Sequence, residues 1–344
     1  AVGLAVISLF QPLRARYSHQ KEWHEQARQL IYSSSQDSED FFKLWPHDKT
    51  YFFSVTEHSG VAYKVQRGVA LVVGDPFGEP KEFKKLLREF EDFCFGNDWR
   101  PAFIHTTVRS KKLFAARGYH QQLIGEEAMV DIAHFVTEVS QQKYFREIQK
   151  RFTKLGYTFE VLQPPYHAAI VDRVKTISDE WLQRPGREER RFMMGFFSEE
   201  YIQQGPLAIA RDAAGTIQAY MNLLPSPLPE EADYDMLRSA KHAAGNINDY
   251  VLMGVMTHLY NEGTAKHVNM GLCPLAGLED EPSTLINRTL RFVYSNGDRF
   301  YSFRGLYKFK AKYEPVWHDR YIVYRGNPAD FTRVMTALNK AMKY

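Results

Sequence analysis

Cysteine is almost missing from this 344-residue chain: only Cys94 and Cys273 occur, far apart and in apolar surroundings. Neither their number nor their spacing suits a disulfide framework or a zinc site, and a reducing compartment is favoured. The twelve histidines have no metal-ligand spacing, and both HExxH and CxxC are absent, so no metal is expected. There is no Gly-x-Ser-x-Gly elbow, and neither cysteine stands in a motif with histidine, so chemistry without a covalent enzyme intermediate is expected. Charge of one sign is also scarce. A net charge of +3 permits an anionic partner but lacks the strong basic balance of a dedicated nucleic-acid module.

Long hydrophobic runs are missing too. The opening AVGLAVISLF is followed by Gln11, Pro12, Arg14 and Arg16. It is too short to span a bilayer, which takes about 20 apolar residues. A signal peptide would carry its positive charge before the apolar run. Two readings stay open: a buried first helix, or the cytoplasmic end of a final membrane helix under the positive-inside tendency.

What the chain has in quantity is aromatic side chains, 24 Phe, 20 Tyr and 5 Trp, and a recurring order of elements. Hydrophobic periodicity and turn residues predict helices at Gln20–Ile31 and Asp40–Leu44, then strands at Tyr51–Thr56, Val61–Val65 and Val69–Val73. A helix from Phe83 to Gly96, a strand Ala102–Thr106, a short helix Ser110–Ala116 and a strand Gln121–Ile132 follow. The second half repeats the cycle: a helix marked by Ile170, Val174, Ile177 and Trp181, a helix Phe197–Gln203, and a hairpin Leu207–Arg211 with Thr216–Leu224. After it come a helix ending at Gly263, a strand His267–Gly271, a helix Thr284–Tyr294 and a strand Arg320–Tyr324. This order predicts an α/β (α+β) protein of two tandem domains with the fold of the Gcn5-related N-acetyltransferases (GNAT), each a mixed, mostly antiparallel sheet flanked by helices. The expected division is the opening segment 1–16, then 17–150 as the first domain and 151–344 as the second, which carries the site. Enzymes of that fold hold acetyl-CoA with an Arg/Gln-x-x-Gly-x-Gly/Ala loop. Only Gln122 and Gln183 have glycine three residues on, and neither completes the motif. Acetyl-CoA is therefore not the expected donor, and no cofactor is expected.

The densest polar residues lie in the second half: Arg187 to Arg191 with Glu189 among them, Asp235 and Arg238, Asn246 to Asp249, and the run from Phe303 to Lys312. Asp235-x-x-Arg238 has the spacing of one helical turn. Alternation across 307–313, if extended, puts Lys308, Lys310 and Lys312 on one face and Tyr307, Phe309 and Tyr313 on the other. That is either an amphipathic edge strand or a phosphate-binding stripe.

Five stretches carry a resemblance: GVALVVGDPFGEP (68–80), GREERRFMMGFF (186–197), MNLLPS (221–226), YDMLR (234–238) and FYSFRGLYKFKAKYEPVWHDRYIVY (300–324). Together they resemble the C-terminal domain of the phosphatidylglycerol lysyltransferases and alanyltransferases, the multiple peptide resistance factor family. The resemblance implies a tandem acetyltransferase-like pair on the cytosolic face of the inner membrane, following an N-terminal polytopic membrane domain, with 1–16 (AVGLAVISLFQPLRAR) as the remnant of the end of its last membrane helix. It implies transfer of lysine or alanine from aminoacyl-tRNA to the glycerol hydroxyl of phosphatidylglycerol, changing membrane charge and antimicrobial-peptide resistance. The chain departs from the family around Lys241 to Asn246 and at Glu279 to Glu281, which leaves the choice of amino acid open.

On this reading Asp235, with Asp249 or Glu189, holds the α-ammonium of the aminoacyl group. Arg238 orients Asp235 or meets the terminal adenosine. Lys310 and Lys312 with Arg320, and Lys308 in the same stripe, grip the lipid phosphate or the tRNA backbone. The proton of the glycerol hydroxyl goes to the substrate's own amine or to a phosphate. These residues are expected to converge on one buried passage. Rival readings are a peptidoglycan-directed aminoacyl-tRNA transferase and a non-catalytic module that binds tRNA or lipid.

Overall fold

The structure is a computed structural model and describes residues 20–279, 284, 286–287 and 303–343. Helix α1 covers 20–34. Strands β1 (Thr50–Phe53), β2 (Ser59–Gln66), β3 (Val69–Val73), β4 (Phe77–Gly78), β5 (Arg100–Thr107) and β6 (His120–Asp131) belong to the first half, with helices α2 (Phe83–Gly96) and α3 (Lys111–Ala115) between them. Then come α4 (Ile132–Thr137), α5 (Lys143–Lys154), β7 (Thr158–Leu162), α6 (Ala168–Leu182), α7 (Glu199–Ile202), β8 (Leu207–Arg211), β9 (Ile217–Leu223) and β10 (Glu231–Ser239). The chain continues through α8 (Ile247–Glu262), β11 (His267–Pro274), α9 (Phe303–Ala311), β12 (Val316–Tyr324) and α10 (Pro328–Ala341). Apart from 284 and 286–287, of which 286–287 are helical, the expected helix at Thr284–Tyr294 lies outside the described residues, as does the expected remnant at 1–16.

The mixed α/β class read from the element order is the one observed. One sheet runs β1-β2-β3-β5-β12-β6-β11-β10-β9-β8-β7, with β4 beside β2. It continues unbroken past the expected division at 150. In each half a meander leads through a helix to a parallel neighbour: β3 to β5 around α2, and β10 to β11 around α8. The last strand of each half then crosses over, with β6 pairing β11 and β12 pairing β5, while β6 and β12 pair each other. Arg320 on β12 thereby meets residues 193 and 283 positions away in sequence.

Burial follows the apolar pattern. Strand β3, VALVV, is buried along its whole length, as a central strand covered on both faces should be. Helix α2 buries Leu86, Leu87, Phe90 and Cys94 on one stripe. Helix α8 is apolar nearly all round because it lies under the sheet, and it stops at Gly263 in the left-handed conformation. Helix α10 starts from Asn327 and Asp330, whose side chains cap each other's backbone, with Pro328 at its first turn. One sheet face packs on α6, α10 and the short 3-10 turn Ser38–Lys43; the other packs on α2, α4, α5 and α8. Among the described residues no helix is long and apolar enough to cross a membrane.

Two expectations are corrected. Residues 235–238 lie in strand β10, not in a helical turn. Residues 303–311 are helix α9, not an extended stripe. In the helix Tyr307 turns to stack on Trp317 at 4.5 Å, Lys308 points outward and Lys310 is buried.

Candidate functional site

Strand β10 sets the site. Its register against β9 shifts between Tyr234 and Leu237. Residues three apart on a regular strand face opposite sides, and the irregularity turns Asp235 and Arg238 the same way. Pairing of β10 with β11 extends only from Glu231 to Asp233, so the two strands part just where Asp235 begins.

Asp235 Oδ2 accepts hydrogen bonds from the Gly195 amide at 2.9 Å and the Tyr201 hydroxyl at 2.8 Å. The Tyr201 ring is buried and stacks on Trp45 at 5.0 Å and 7°. Burial raises the Asp235 carboxyl to about 6, although Tyr201, Arg238 and Gly195 all favour its ionised form. Arg238 donates both terminal nitrogens to Glu189 at 2.8 Å each, and its guanidinium lies 4.5 Å over the Trp181 ring. A fork-to-fork pair of this kind fixes direction as well as charge. Glu189 also accepts from the Phe197 amide at 3.2 Å. The loop carrying Glu189 and Gly195 is fastened by Lys49, whose ammonium donates to the carbonyls of Trp45 (3.0 Å), Pro46 (2.9 Å) and Phe192 (2.8 Å). Burial lowers Lys49 to about 8.

Gly195 has no room for a side chain. A Cβ there would collide with the Tyr201 ring and Asp235 Oδ2. Gly195→Ala is expected to cost about 1–3 kcal/mol by overpacking, seen as a lower Tm in thermal unfolding. An unchanged Tm would mean that the loop is not held as described.

A second group lies where the halves exchange strands. Arg320 donates its Nε to Glu127 at 2.9 Å and an Nη to Asp37 at 3.2 Å, with further short contacts to both carboxylates. His105 Nδ1 lies 2.8 Å from Glu39. Burial takes His105 down to about 4 and Glu127 up to about 7, and it also raises Glu39 and Asp233. Burial pushes Asp37 the same way, but the charge of Arg320 overrides it and holds Asp37 below the usual carboxylate range. Lys310 reaches in from α9 and donates to the carbonyls of Gly271 (2.7 Å) and Leu272 (3.0 Å), at the point where β11 shifts register against β6. Burial lowers its pKa. Among the described residues Glu39, His105 and Glu127 bring one ligand atom each within 4.8 Å of one another, as do the more exposed His58, Glu79 and Glu82. The Arg320 guanidinium already sits on Glu127.

A third group lies at the start of α8, on the opposite face from Asp235. Asp249 accepts from Lys312 (2.6 Å), the Tyr313 hydroxyl (2.6 Å) and the Tyr144 hydroxyl (3.0 Å). Beside it opens a cavity of about 420 Å³ lined by Arg184, Lys241, Asn246, Asn248, Asp249 and Phe309.

Asp235, Arg238 and Glu189 thus come together. Lys310 and Arg320 share the central group, Asp249 and Lys312 pair elsewhere, and Lys308 stands exposed. The expected single convergence is replaced by three clusters. Tyr201, Trp45, Gly195, Lys49, Asp37, Glu39, His105, Glu127 and Asp233 were not found by sequence reasoning. All but Gly195, which lies within GREERRFMMGFF, are single letters outside the quoted motifs, and only the alternation Asp233-x-Asp235 points to two acids on one strand face.

Comparison with known proteins gives this geometry a family. Residues 27–324 match the family described as phosphatidylglycerol lysyltransferase, C-terminal. The phosphatidylglycerol lysyltransferase of Bacillus subtilis (strain 168) is 32% identical over 282 residues, which is 81% of this chain and 32% of that protein. That of Staphylococcus haemolyticus is 29% identical over 283 residues, 82% of this chain and 33% of the relative. The chain therefore spans about a third of the length of the curated relatives it matches. Among solved structures, the C-terminal domain of a putative lysylphosphatidylglycerol synthetase from Agrobacterium fabrum superposes with a TM-score of 0.80 at 28% identity, covering 94% of this chain and 97% of that one. L-PGS from Bacillus licheniformis gives 0.77 at 27%, covering 93% and 97%. FemX, at 0.58 and 10% identity over 90% of this chain and 98% of its own, shares the fold alone. This chain belongs to the family of phosphatidylglycerol lysyltransferase C-terminal domains.

Proposed function

We propose that the chain transfers an amino acid, lysine or alanine, from aminoacyl-tRNA to the glycerol hydroxyl of phosphatidylglycerol. We further propose that it works on the cytosolic face of the inner membrane as the part following an N-terminal polytopic membrane domain, and that altered surface charge and antimicrobial-peptide resistance are the result. The observation that carries this reading is Asp235: a carboxylate surrounded by protein, partly accessible, and held by Tyr201 and Gly195 beside a locked Arg238–Glu189 pair.

An aminoacyl ester on tRNA is already activated, and the product is again an ester, so alignment of the reactants can supply much of the rate. Asp235 ionises near pH 6 and is mostly charged at neutral pH, as a partner for the α-ammonium must be. Arg238, locked onto Glu189 and Trp181, orients this group and presents its edge to the donor. Lys310 gives two of its three N–H groups to backbone carbonyls, and the third serves a substrate oxygen. Arg320, Lys312 and Asp249 are held in ion pairs by their neighbours and act by positioning. Lys308, exposed, meets a phosphate of the lipid or the RNA. The glycerol hydroxyl attacks the ester carbonyl as its proton leaves to a phosphate, or to the α-amine once that group has given its own proton to Asp235, and the ribose oxygen of the tRNA takes up a proton as its bond to the acyl group breaks.

The test supplies the protein with phosphatidylglycerol vesicles and one labelled aminoacyl-tRNA at a time, with a peptidoglycan precursor as the alternative acceptor. Labelled lipid from lysyl- or alanyl-tRNA is expected, and its loss in Asp235→Ala and Lys310→Ala. Labelled precursor without labelled lipid, or two folded variants with full activity, would remove the assignment.

A further inference from the structure

The stretch GVALVVGDPFGEP ends in a backbone crossing that the transfer reading leaves unused. Strand β4 pairs with the start of β2, with Gly78 opposite Ser59 and the Glu79 amide donating to the His58 carbonyl at 3.0 Å. Gly78 has φ +96°, and a Cβ there would stand 2.2 Å from the His58 carbonyl oxygen, so only glycine admits so close an approach. The crossing sets His58 beside Glu79, and the 3-10 turn Pro80–Glu82 that follows brings in Glu82. These three side chains offer one ligand atom each, all within 4.8 Å of one another. They stand 21 and 3 positions apart in the chain, so no spacing in the sequence marks them as a group.

Each of the two acids has one oxygen engaged and one open. Glu82 Oε2 accepts from the hydroxyls of Thr56, Ser54 (2.9 Å) and Ser59 (3.2 Å), and both serines are buried. These bonds, that of Thr56 foremost, hold the Glu82 carboxyl below its usual range, so it stays an anion. Glu79 Oε2 lies 2.6 Å from the Lys81 ammonium, while its Oε1 is 3.7 Å from His58 Nδ1. Lys81 is 77% exposed, and its charge is screened by solvent. An outer partner on one atom that leaves another free to bind is how proteins orient metal ligands. Zinc bonds of about 2.0–2.2 Å in a tetrahedron place ligand atoms about 3.4 Å apart. The His58–Glu79 pair is already near that distance, and the exposed His58 ring can turn the rest of the way. One imidazole with two carboxylate oxygens suits zinc better than calcium or magnesium, which favour oxygen alone.

We propose that His58, Glu79 and Glu82 bind one zinc ion, with water completing its shell, and that the ion clamps the β1–β2 turn to β4. The clamp reaches one element further, because the Gly78 amide donates to Ser34 Oγ at the end of α1 (3.2 Å). The central Glu39, His105 and Glu127 are the poorer ligand set, since Arg320 already bonds Glu127. The zinc site stands independently of the transfer reading.

The experiment titrates zinc into the full chain, first stripped of metal with a chelator, and follows the heat of binding and thermal unfolding. One zinc per chain is expected, with a Kd of about 10 μM or tighter. The Tm should rise by about 2–5 °C at a hundredfold excess over Kd. Calcium and magnesium at the same concentration should do neither. His58→Ala, on an exposed turn, should keep the metal-free Tm and weaken zinc binding at least tenfold. Glu79→Gln gives the same reading should His58→Ala lose stability. Thr56→Val takes a hydroxyl from Glu82 without touching the three ligands, and should weaken zinc about tenfold, as loss of an outer partner does. No saturable zinc binding overturns the proposal, as does calcium bound equally tightly or native zinc affinity in the folded His58→Ala and Glu79→Gln variants. Zinc affinity that survives those changes but is lost in Glu39→Gln places the ion at the central group and overturns it as well.

Discussion

Asparagine in place of Asp235 removes at least a hundredfold of the transfer rate at pH 7.5 while leaving the fold as stable as the native one or more so. The rate falls because the amide carries no charge for the substrate ammonium, and loss of a fixed electrostatic partner in a water-poor site costs on the order of 10²–10³ in rate. The stability result follows from the sign of the shift. The Asp235 carboxyl ionises near 6 in the folded chain, above its ordinary value near 4, because burial disfavours the charge. Between those pH values the folded state holds a proton that the unfolded state has released, so stability declines as pH rises through this window, and the full cost is present above about pH 6. The Asp235→Asn variant avoids that cost. Its amide keeps an oxygen for the Tyr201 hydroxyl and the Gly195 N–H, although with weaker bonds than a carboxylate makes. The net gain at neutral pH is on the order of 1 kcal/mol. Thermal unfolding at pH 5 and pH 7.5 reads it: the advantage of the variant should grow with pH. In native protein the transfer rate should also fall as pH drops through about 6. A variant with native rates, or one whose relative stability declines toward pH 7.5, would contradict this account of Asp235.

The sequence disclosed the elements whose apolar pattern is their own. VALVV at β3 and the Leu86, Leu87, Phe90, Cys94 stripe of α2 have one reading each. Strand β10 does not: EADYDMLRS carries acids that strands disfavour, and only its neighbours β9 and β11 hold it extended. At 307–313 the alternation of lysine and aromatic residues imitates a strand, yet the residues that α9 directs inward, such as Lys310, follow helical spacing. Of the site, Glu189, Asp235 and Arg238 could be named because they stand in dense polar stretches. Tyr201, Trp45 and Lys49 could not, since each acts through a neighbour chosen by the fold. The exchange of β6 and β12 between the halves was equally hidden, because nothing local in either strand specifies a partner so far away in sequence.

That exchange makes Arg320 the cation on which the centre of the sheet depends. Arg320→Met is expected to destabilise the chain by about 3–5 kcal/mol, the range for removing one partner of a buried ion pair, because Asp37 and Glu127 would then face each other with only the half-exposed Arg109, 3.7 Å from Asp37, to offset them. The sign of the pH response distinguishes this cause from a packing defect. In the native chain the Asp37 carboxyl is held low by Arg320, so it contributes stability above about pH 4 that is lost on acidification through its folded pKa. Glu127 already sits near 7 and contributes in the opposite sense. Without the guanidinium both carboxyls shift upward, the folded state takes up protons that the unfolded state does not bind, and the variant should gain stability as pH falls from about 8 to 5. Methionine is shorter than arginine but of similar volume, and neutralising the acids in Asp37→Asn, Glu127→Gln, Arg320→Met should restore most of the loss at pH 8, since a buried ion pair is often replaceable by neutral groups that fit. Denaturant unfolding at the two pH values reads each variant. If Arg320→Met loses the same stability at pH 5 as at pH 8, and the triple variant recovers nothing, Arg320 holds the sheet by shape rather than by charge.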